Sequence, residues 1–298
     1  MICEESGGRV TDIKNVFSLF GMGEAKRIEQ IKNAEDGSLY DVWRVTSNGA
    51  EFVLKKAKGK EKAIYRSFFP RAVSGVPRCF GSVSAFGCDY LLLSFLRGEG
   101  LLRLDRDSAR AAIDALADIQ NEFWGDTLHS DDGVTFEKAY GSCEDRGKYL
   151  YDSALEKCHA RYLELYSTIP RTLCHGDMLP FNVLYDGERA YIVDWEQAGI
   201  LPYPVSFARL IAHCFQGEDE FFYMTDADKE FAIGYYYERF VKEKGVDERE
   251  YRRTLEYFIF YEYCEWVMLG NKYEDSDKAR FDKYFALAKA LAEKLNNE

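Results

Sequence analysis

The segment TLCHGDMLPFNVLYDGERAYIVDWEQAG, residues 172–199, decides the reading of this chain. Val183–Tyr185 and Ala190–Val193 are short apolar runs on either side of Asp186-Gly187. An Asp-Gly pair between two such runs predicts a tight β-hairpin. Closing that hairpin brings its open ends together, with Asn182 just before the first strand and Asp194 just after the second. Asp177 lies five residues before Asn182, on a loop that Pro180 is expected to keep from being helical. Two carboxylates and a carboxamide are hard oxygen donors. They suit Mg²⁺, which takes few protein ligands and keeps water or substrate phosphates.

Outward from this segment the chain divides by pattern. After a short apolar helix over Asp12–Phe20, β-like runs are predicted at Arg27–Lys32, Leu39–Thr46 and Glu51–Ala57. Asp36-Gly37-Ser38 and Ser47-Asn48-Gly49 supply the turn chemistry between them. A helix over Glu61–Phe69 follows, ended by Pro70, and then strands at Arg78–Ser84 and Tyr90–Leu96 around Gly87. Beyond that, apolar residues recur at helical spacing in Ala109–Trp124, Gly147–Tyr166, Asp226–Lys244, Glu248–Leu269 and Lys278–Leu295. Thr225 and Asp247 read as N-caps and Gly245 as a C-cap. No Pro-rich or Ser-rich tether separates the two parts, so the expected division is a tight hinge: a strand-rich lobe over 1–96 and a helical lobe over 97–298.

His175-Gly176-Asp177-Met178-Leu179-Pro180-Phe181-Asn182 followed by Asp194-Trp195-Glu196 resembles the catalytic centre of the protein-kinase-like superfamily in its small-molecule branch. The aminoglycoside phosphotransferase and choline kinase families carry H-G-D-x-x-x-x-N and then D-W or D-F on the next strand. The resemblance covers most of the chain, and it implies an α+β fold with an antiparallel N-terminal sheet, one helix and a mainly helical C-terminal lobe. It implies a catalytic role for Asp177, which accepts or orients the proton of an acceptor hydroxyl. It implies Mg²⁺ held by Asn182 and Asp194 between nucleotide phosphates. His175 is expected to brace the loop, and Trp195, Phe181 and Cys174 to pack.

On the nucleotide side there is no G-x-x-x-x-G-K-[ST] and no G-x-G-x-x-G. Gly37 and Ser38 stand where the family places its phosphate-covering loop, although a plain hairpin turn reads equally well there. The family's phosphate-reaching lysine fits Lys55 best. Lys56 competes, but strand alternation sends the two to opposite faces. Such a lysine needs an acidic partner on the next helix, and Glu61 is the one acid between Glu51 and Asp89. The stretch from Ala50 to Arg78 holds eight basic and two acidic residues in a chain of net charge −12. Leu93-Ser94-Phe95-Leu96 resembles the hinge whose backbone would read the adenine of ATP, or the guanine of GTP, so Ser94 and Leu96 join the nucleotide set.

Asp194 is followed after about a dozen residues by a helix near Ser206–His213, which leaves no room for a peptide-binding activation segment. A small-molecule acceptor is therefore expected. Glu262 and Trp266 are i, i+4 neighbours, and an acid beside an aromatic ring suits the ammonium group of an amino alcohol or aminoglycoside. The same apolar periodicity also reads as ordinary core. Two departures from the family stand out. Ser206 replaces the aspartate of its D-L-A pattern and is expected to cap a helix. Leu116-Ala117-Asp118-Ile119-Gln120 stands where the family often has L-H.

The excess of 51 acidic over 39 basic residues argues against partners that are nucleic acid or anionic membrane, since both demand clustered cations. Eight scattered cysteines without metal spacing, no apolar N-terminal region and no 18-residue apolar run point to a cytoplasmic protein with reduced thiols. The expected activity is a Mg-dependent phosphotransferase. The alternative is a kinase-like module that binds nucleotide or ligand without turnover.

Overall fold

The structure, a computed structural model, describes residues 12–32, 37–217, 219–273 and 277–297. Helix α1 covers residues 12–18. Strands β1 (Arg27–Lys32), β2 (Leu39–Ser47) and β3 (Ala50–Lys56) lead to α2 (Glu61–Phe68), and β4 (Cys79–Ala85) and β5 (Cys88–Ser94) complete a five-stranded antiparallel sheet in the order β1-β2-β3-β5-β4. Asn48 and Gly49 both have positive φ, 49° and 80°, the signature that a two-residue turn needs to match strand twist. Asp36 lies outside the described residues, and Gly37 enters β2 with φ of 71°.

Each face of the sheet buries a different apolar set. Phe52, Leu54, Trp43, Val45 and Leu92 pack with Ile13, Val16 and Phe17 of α1. Leu91 and Leu93 face the other way, onto Ile64, Tyr65 and Phe68 of α2. That second cluster is continuous with the core of the helical part: Phe68 meets Phe123 edge-on at 5.3 Å, and Phe69 meets Trp195 at 4.8 Å. Period 2 along β3 therefore turns Lys55 to the α2 side with Val53, and Lys56 to the opposite side near Asp41.

The chain leaves the sheet at Ser94 and passes two short strands, β6 (Glu99–Gly100) and β7 (Arg103–Leu104). Helix α3 (Arg106–Glu122) starts at Asp105, whose side chain accepts from the Ser108 amide while the Ser108 hydroxyl takes the Asp105 amide. Then come α4 (Phe136–Gly147) and α5 (Ser153–Thr168). The sequence reading gave one helix over Gly147–Tyr166. In its place Asp152 caps α5, and α4 precedes it with Cys143 as its single buried residue, too little apolar periodicity to be seen.

Strand β8 (Arg171–Cys174) leads into the loop of interest; β9 (Val183–Tyr185) and β10 (Ala190–Ile192) form the expected hairpin, with β6 added at its edge. Strand β11 (Gly199–Pro202) pairs antiparallel with β8, and α6 (Pro204–Ala212) follows. After β12 (Tyr223–Met224) come α7 (Asp226–Tyr236), α8 (Glu248–Tyr273) and α9 (Lys278–Asn297). Thr225 and Asp247 do accept amide hydrogens of the helices they precede. The continuous helix read to Lys244 breaks instead into a π turn over Tyr237–Val241 and a 3₁₀ turn over Lys242–Lys244, ended by Gly245 at φ 77°. The fold is α+β: an antiparallel sheet carrying α2, set on a helical body. No helix of the described residues is long and apolar enough to cross a membrane.

Candidate active site

The loop after β8 is fixed by buried hydrogen bonds. Gly176 has φ of 78°, and a Cβ there would run into the carbonyl oxygen of Gln197, so the turn needs glycine twice over. His175 is fully buried; its Nε2 lies 2.7 Å from the carbonyl oxygen of Val193, and its Nδ1 faces the Asp177 amide at 3.3 Å. A carbonyl can only accept and an amide can only donate, so the ring is neutral with its hydrogen on Nε2. Burial pushes its proton affinity below the usual range, in the same sense. The His175 amide donates to the Ser206 hydroxyl at 2.9 Å. Ser206 is thus no helix cap: α6 opens on Pro204 without a side-chain cap, and the buried serine hydroxyl ties the helix to the loop.

Pro180 does not exclude helix here. It opens a single 3₁₀ turn, Pro180–Asn182, where its missing amide costs nothing. Asn182 follows, buried, and its Nδ2 donates to the Asp177 carbonyl at 2.8 Å. That bond fixes the amide orientation and leaves Oδ1 as its remaining acceptor. Across the hairpin the Val193 amide donates to the Asn182 carbonyl at 2.9 Å, which places Asp194 beside Asn182. Asp194 adopts φ 66°, ψ 60°, a left-handed conformation that is strained for a residue with a Cβ. Trp195 behind it is buried, bonded through Nε1 to the Ile192 carbonyl and edge-on to His175 at 4.9 Å. Phe181 is partly exposed against Phe222, and Cys174 is buried.

Lys55 arrives from β3. Its Nζ contacts Glu61 Oε1 at 2.7 Å and Asp194 Oδ1 at 2.6 Å. Burial alone would lower its proton affinity, but Glu61 and Asp194 outweigh that and raise it. Burial raises Glu61 in turn, its Oε2 having no hydrogen bond. Glu196 Oε2 is buried and likewise has no hydrogen bond, its ion-pair partner Lys58 standing 4.0 Å away, and carboxylate oxygens of Glu61, Asp194 and Glu196 lie within 4.8 Å of one another. Three carboxylates against two lysines, Lys55 and Lys58, leave this cluster negative. These carboxylates, with Asn182 beside Asp194, are hard oxygen donors of the kind that fits a divalent cation. Lys60 and Lys62 are engaged elsewhere, on the Asp131 carbonyl and on Asp89.

Ser94 ends β5, exchanging hydrogen bonds with the Arg78 backbone through both its amide and its hydroxyl. Leu96 follows in an extended stretch, residues 95–98, that pairs with no strand. Gly37 and Ser38 lie at the β1–β2 turn. Gln120 is buried at the base of the loop: its Nε2 donates to the Tyr203 carbonyl at 2.9 Å and its Oε1 accepts from the Tyr236 hydroxyl at 2.5 Å.

On the other side of Asp177 stands a residue the sequence reading missed. Arg209, on α6, donates to Asp177 Oδ1 from Nε at 3.2 Å and from Nη2 at 3.0 Å. Its Nη1 reaches Glu262 Oε2 at 2.6 Å and also bonds to Glu265. Glu262 lies 3.5 Å from His213 as well; burial works against its charge, but Arg209 and His213 prevail and hold its carboxyl down at about 2. Trp266 stacks on Tyr284 at 5.7 Å with Arg280 over its ring at 4.6 Å. So Glu262 and Trp266 share a helix but not a partner. No local motif pointed to Arg209: it lies 32 residues from Asp177 and 53 from Glu262. Between Asp194 and α6 the chain is one 3₁₀ turn, Trp195–Gln197, and β11, with no free segment for a peptide platform.

A strand lobe bearing a buried lysine, set over a helical body bearing Asp177, Asn182 and Asp194, defines a small-molecule phosphotransferase. The chain belongs to the phosphotransferase enzyme family, whose sequence model matches residues 30–240. No curated protein matches the sequence. Solved structures show the same protein-kinase-like fold at low identity. A candidate aminoglycoside phosphotransferase of Ralstonia eutropha is 12% identical with a TM-score of 0.66, covering 97% of this chain and 98% of that one. A thermostable aminoglycoside phosphotransferase variant, solved with ADP and hygromycin B, is 17% identical with a TM-score of 0.58, covering 95% and 98%. Choline kinase of Cryptosporidium parvum is 12% identical with a TM-score of 0.58, covering 91% and 90%.

Proposed function

We propose that this protein transfers the γ-phosphoryl group of ATP, with Mg²⁺, to a hydroxyl of a small molecule. The observation that carries the reading is one hydrogen-bonded unit: His175 bridges the Asp177 amide and the Val193 carbonyl, Asn182 is bonded to Asp177, and Lys55 is bonded to Asp194. Residues 1–96 are the nucleotide lobe in this reading and residues 97–298 the catalytic and acceptor lobe. Lys55, held by Glu61, binds the α- and β-phosphates; the backbone from Ser94 to Leu96 takes the base; Gly37 and Ser38 cover the phosphates. Asn182 and Asp194 would hold Mg²⁺, which would neutralise charge on the phosphates. Asp177 takes the proton of the acceptor hydroxyl and aims its oxygen at phosphorus. Catalysis is then mainly positioning and electrostatics.

In this reading the acceptor is a small molecule with a hydroxyl, a cationic amino alcohol or aminoglycoside among the classes to test, and Glu262 with Trp266 is not a free pair waiting for its ammonium group. Glu262 is already engaged by Arg209 and His213, and Trp266 by Arg280 and Tyr284. The binding-only alternative drew on the loss of charge at Ser206, and the Ser206 hydroxyl bonds the loop all the same. The test is an ADP-release screen with ATP or GTP as donor against choline, ethanolamine, other amino alcohols, aminoglycosides and sugars. Mg²⁺-dependent ADP or GDP formation matched by a phosphorylated acceptor supports the reading. Tight nucleotide binding with no turnover on any acceptor would favour the binding module.

A further inference from the structure

Arg209 belongs to none of the motifs that led to the site, yet it is the side chain that grips Asp177. Both of its contacts, from Nε and Nη2, go to the same oxygen, Oδ1. Asp177 Oδ2 accepts no hydrogen bond among the described residues. The guanidinium is itself held from behind. Nη1 bonds to Glu262 and Glu265 of α8, and Glu265 is anchored in turn by Arg146 of α4 at 3.1 Å. Arg146 lies over the ring of Tyr261 at 4.4 Å. A planar guanidinium with fixed donors transmits that anchoring as orientation, which a flexible ammonium does not.

We propose that Arg209 is a positioning residue for phosphoryl transfer: it locks Oδ1 of Asp177 and so presents Oδ2 to the acceptor hydroxyl. The inference rests on the reading of Asp177 as the catalytic carboxylate. In the step, the acceptor O–H bond breaks and its proton goes to Oδ2, while the acceptor oxygen forms a bond to the γ-phosphorus. The bond from that phosphorus to the β–γ bridging oxygen breaks, and its electron pair leaves with ADP. The proton then passes from Oδ2 to solvent. Arg209 touches neither reactant and acts through Asp177.

The test uses Mg·ATP hydrolysis, with water as the acceptor, by the full-length protein. Removing the clamp lets the carboxylate rotate, so Arg209→Met is expected to lower kcat about 30- to 100-fold, with the KM for Mg·ATP unchanged within about twofold. Arg209→Lys keeps the charge but loses the two-point grip, and its kcat is expected within about threefold of that of Arg209→Met. Because Arg209 acts through Asp177, Asp177→Asn/Arg209→Met is expected to be no slower than Asp177→Asn alone, whereas a merely structural residue would multiply the two losses. Should Arg209→Met fail to fold with Glu262 and Glu265 stranded, the same comparison is made with Glu262→Gln and Glu265→Gln added throughout. Wild-type kcat in Arg209→Met, a raised KM at unchanged kcat, or multiplying losses in the double variant overturns the inference. Full activity in Asp177→Asn instead overturns the assignment of Asp177 itself.

Discussion

Two buried cations flank the proposed phosphoryl-transfer site, each ringed by acids, and they are built differently. Lys55 comes from the sheet and crosses to the helical lobe, touching Glu61 and Asp194. Arg209 stays within the helical lobe, touching Asp177, Glu262 and Glu265. Around Lys55 two buried carboxylate oxygens, on Glu61 and Glu196, have no hydrogen bond, and the Asp194 side chain is 39% exposed. Around Arg209 the Glu262 side chain is 9% exposed and bonded. The first cluster leaves two buried carboxylate oxygens unbonded, as a site that would exchange partners with metal and phosphate must. The second is bonded throughout except at Oδ2 of Asp177, whose side chain is 36% exposed, as a clamp that presents one oxygen must be. A point-charge ammonium suits the first task and a planar fork the second.

The sharpest break of that comparison is at the two aspartates, one in each cluster. Asp177→Ala and Asp194→Ala are expected to cut phosphoryl transfer by at least about 10³-fold while the far-ultraviolet circular dichroism stays native, since in the proposed reaction each removes a group that acts on the reacting atoms. Lys55→Met comes next, with a loss of about 10²-fold in kcat/KM for ATP and a weaker affinity for Mg·ADP by titration calorimetry. Ser206→Ala tests the brace that both clusters share. It leaves the buried His175 amide without an acceptor and is expected to cost about 1–3 kcal/mol in urea unfolding, more than Ser206→Asp.

The smallest effects separate the clusters by pH. Lys55 is raised above its ordinary 10.5, so its stabilisation is complete below that pH and is lost as pH climbs through the raised value. Glu262 is lowered from 4.5 to about 2, so its contribution is complete above 4.5 and is lost as pH falls toward about 2. In thermal melts, the gap between wild type and Glu262→Gln is expected to close on the acid side only. The gap between wild type and Lys55→Met is expected to narrow on the alkaline side, as Lys55 loses its proton.

The pieces of the Lys55 cluster are local in sequence, since strand alternation separates Lys55 from Lys56, a single acid follows, and an Asp-Gly hairpin brings Asn182 to Asp194, but the Lys55–Asp194 contact spans 139 residues and was legible only through the resemblance to a known family. The Arg209 cluster was not legible, because α4, α6 and α8 meet only in the folded body, and Glu265 looks like any solvated glutamate until Arg146 and Arg209 close on it. The missed fold details have the same origin. Helix α4 buries too little to show a stripe, and the π turn after α7 shifts the helical register without changing the residue types that signal it. Ser206 was read by its local propensity to cap, whereas its hydroxyl is engaged by the His175 amide 31 residues away.

The account turns on Asp177 taking a proton during Mg-dependent transfer, and one measurement addresses it directly. Phosphorus NMR can follow ATP with the acceptor panel, with and without Mg²⁺, for wild type and Asp177→Ala. The account predicts a new phosphate-ester resonance growing in step with ADP, in wild type with Mg²⁺ only. An ester formed by Asp177→Ala at the wild-type rate, or by wild type in excess EDTA, would contradict it.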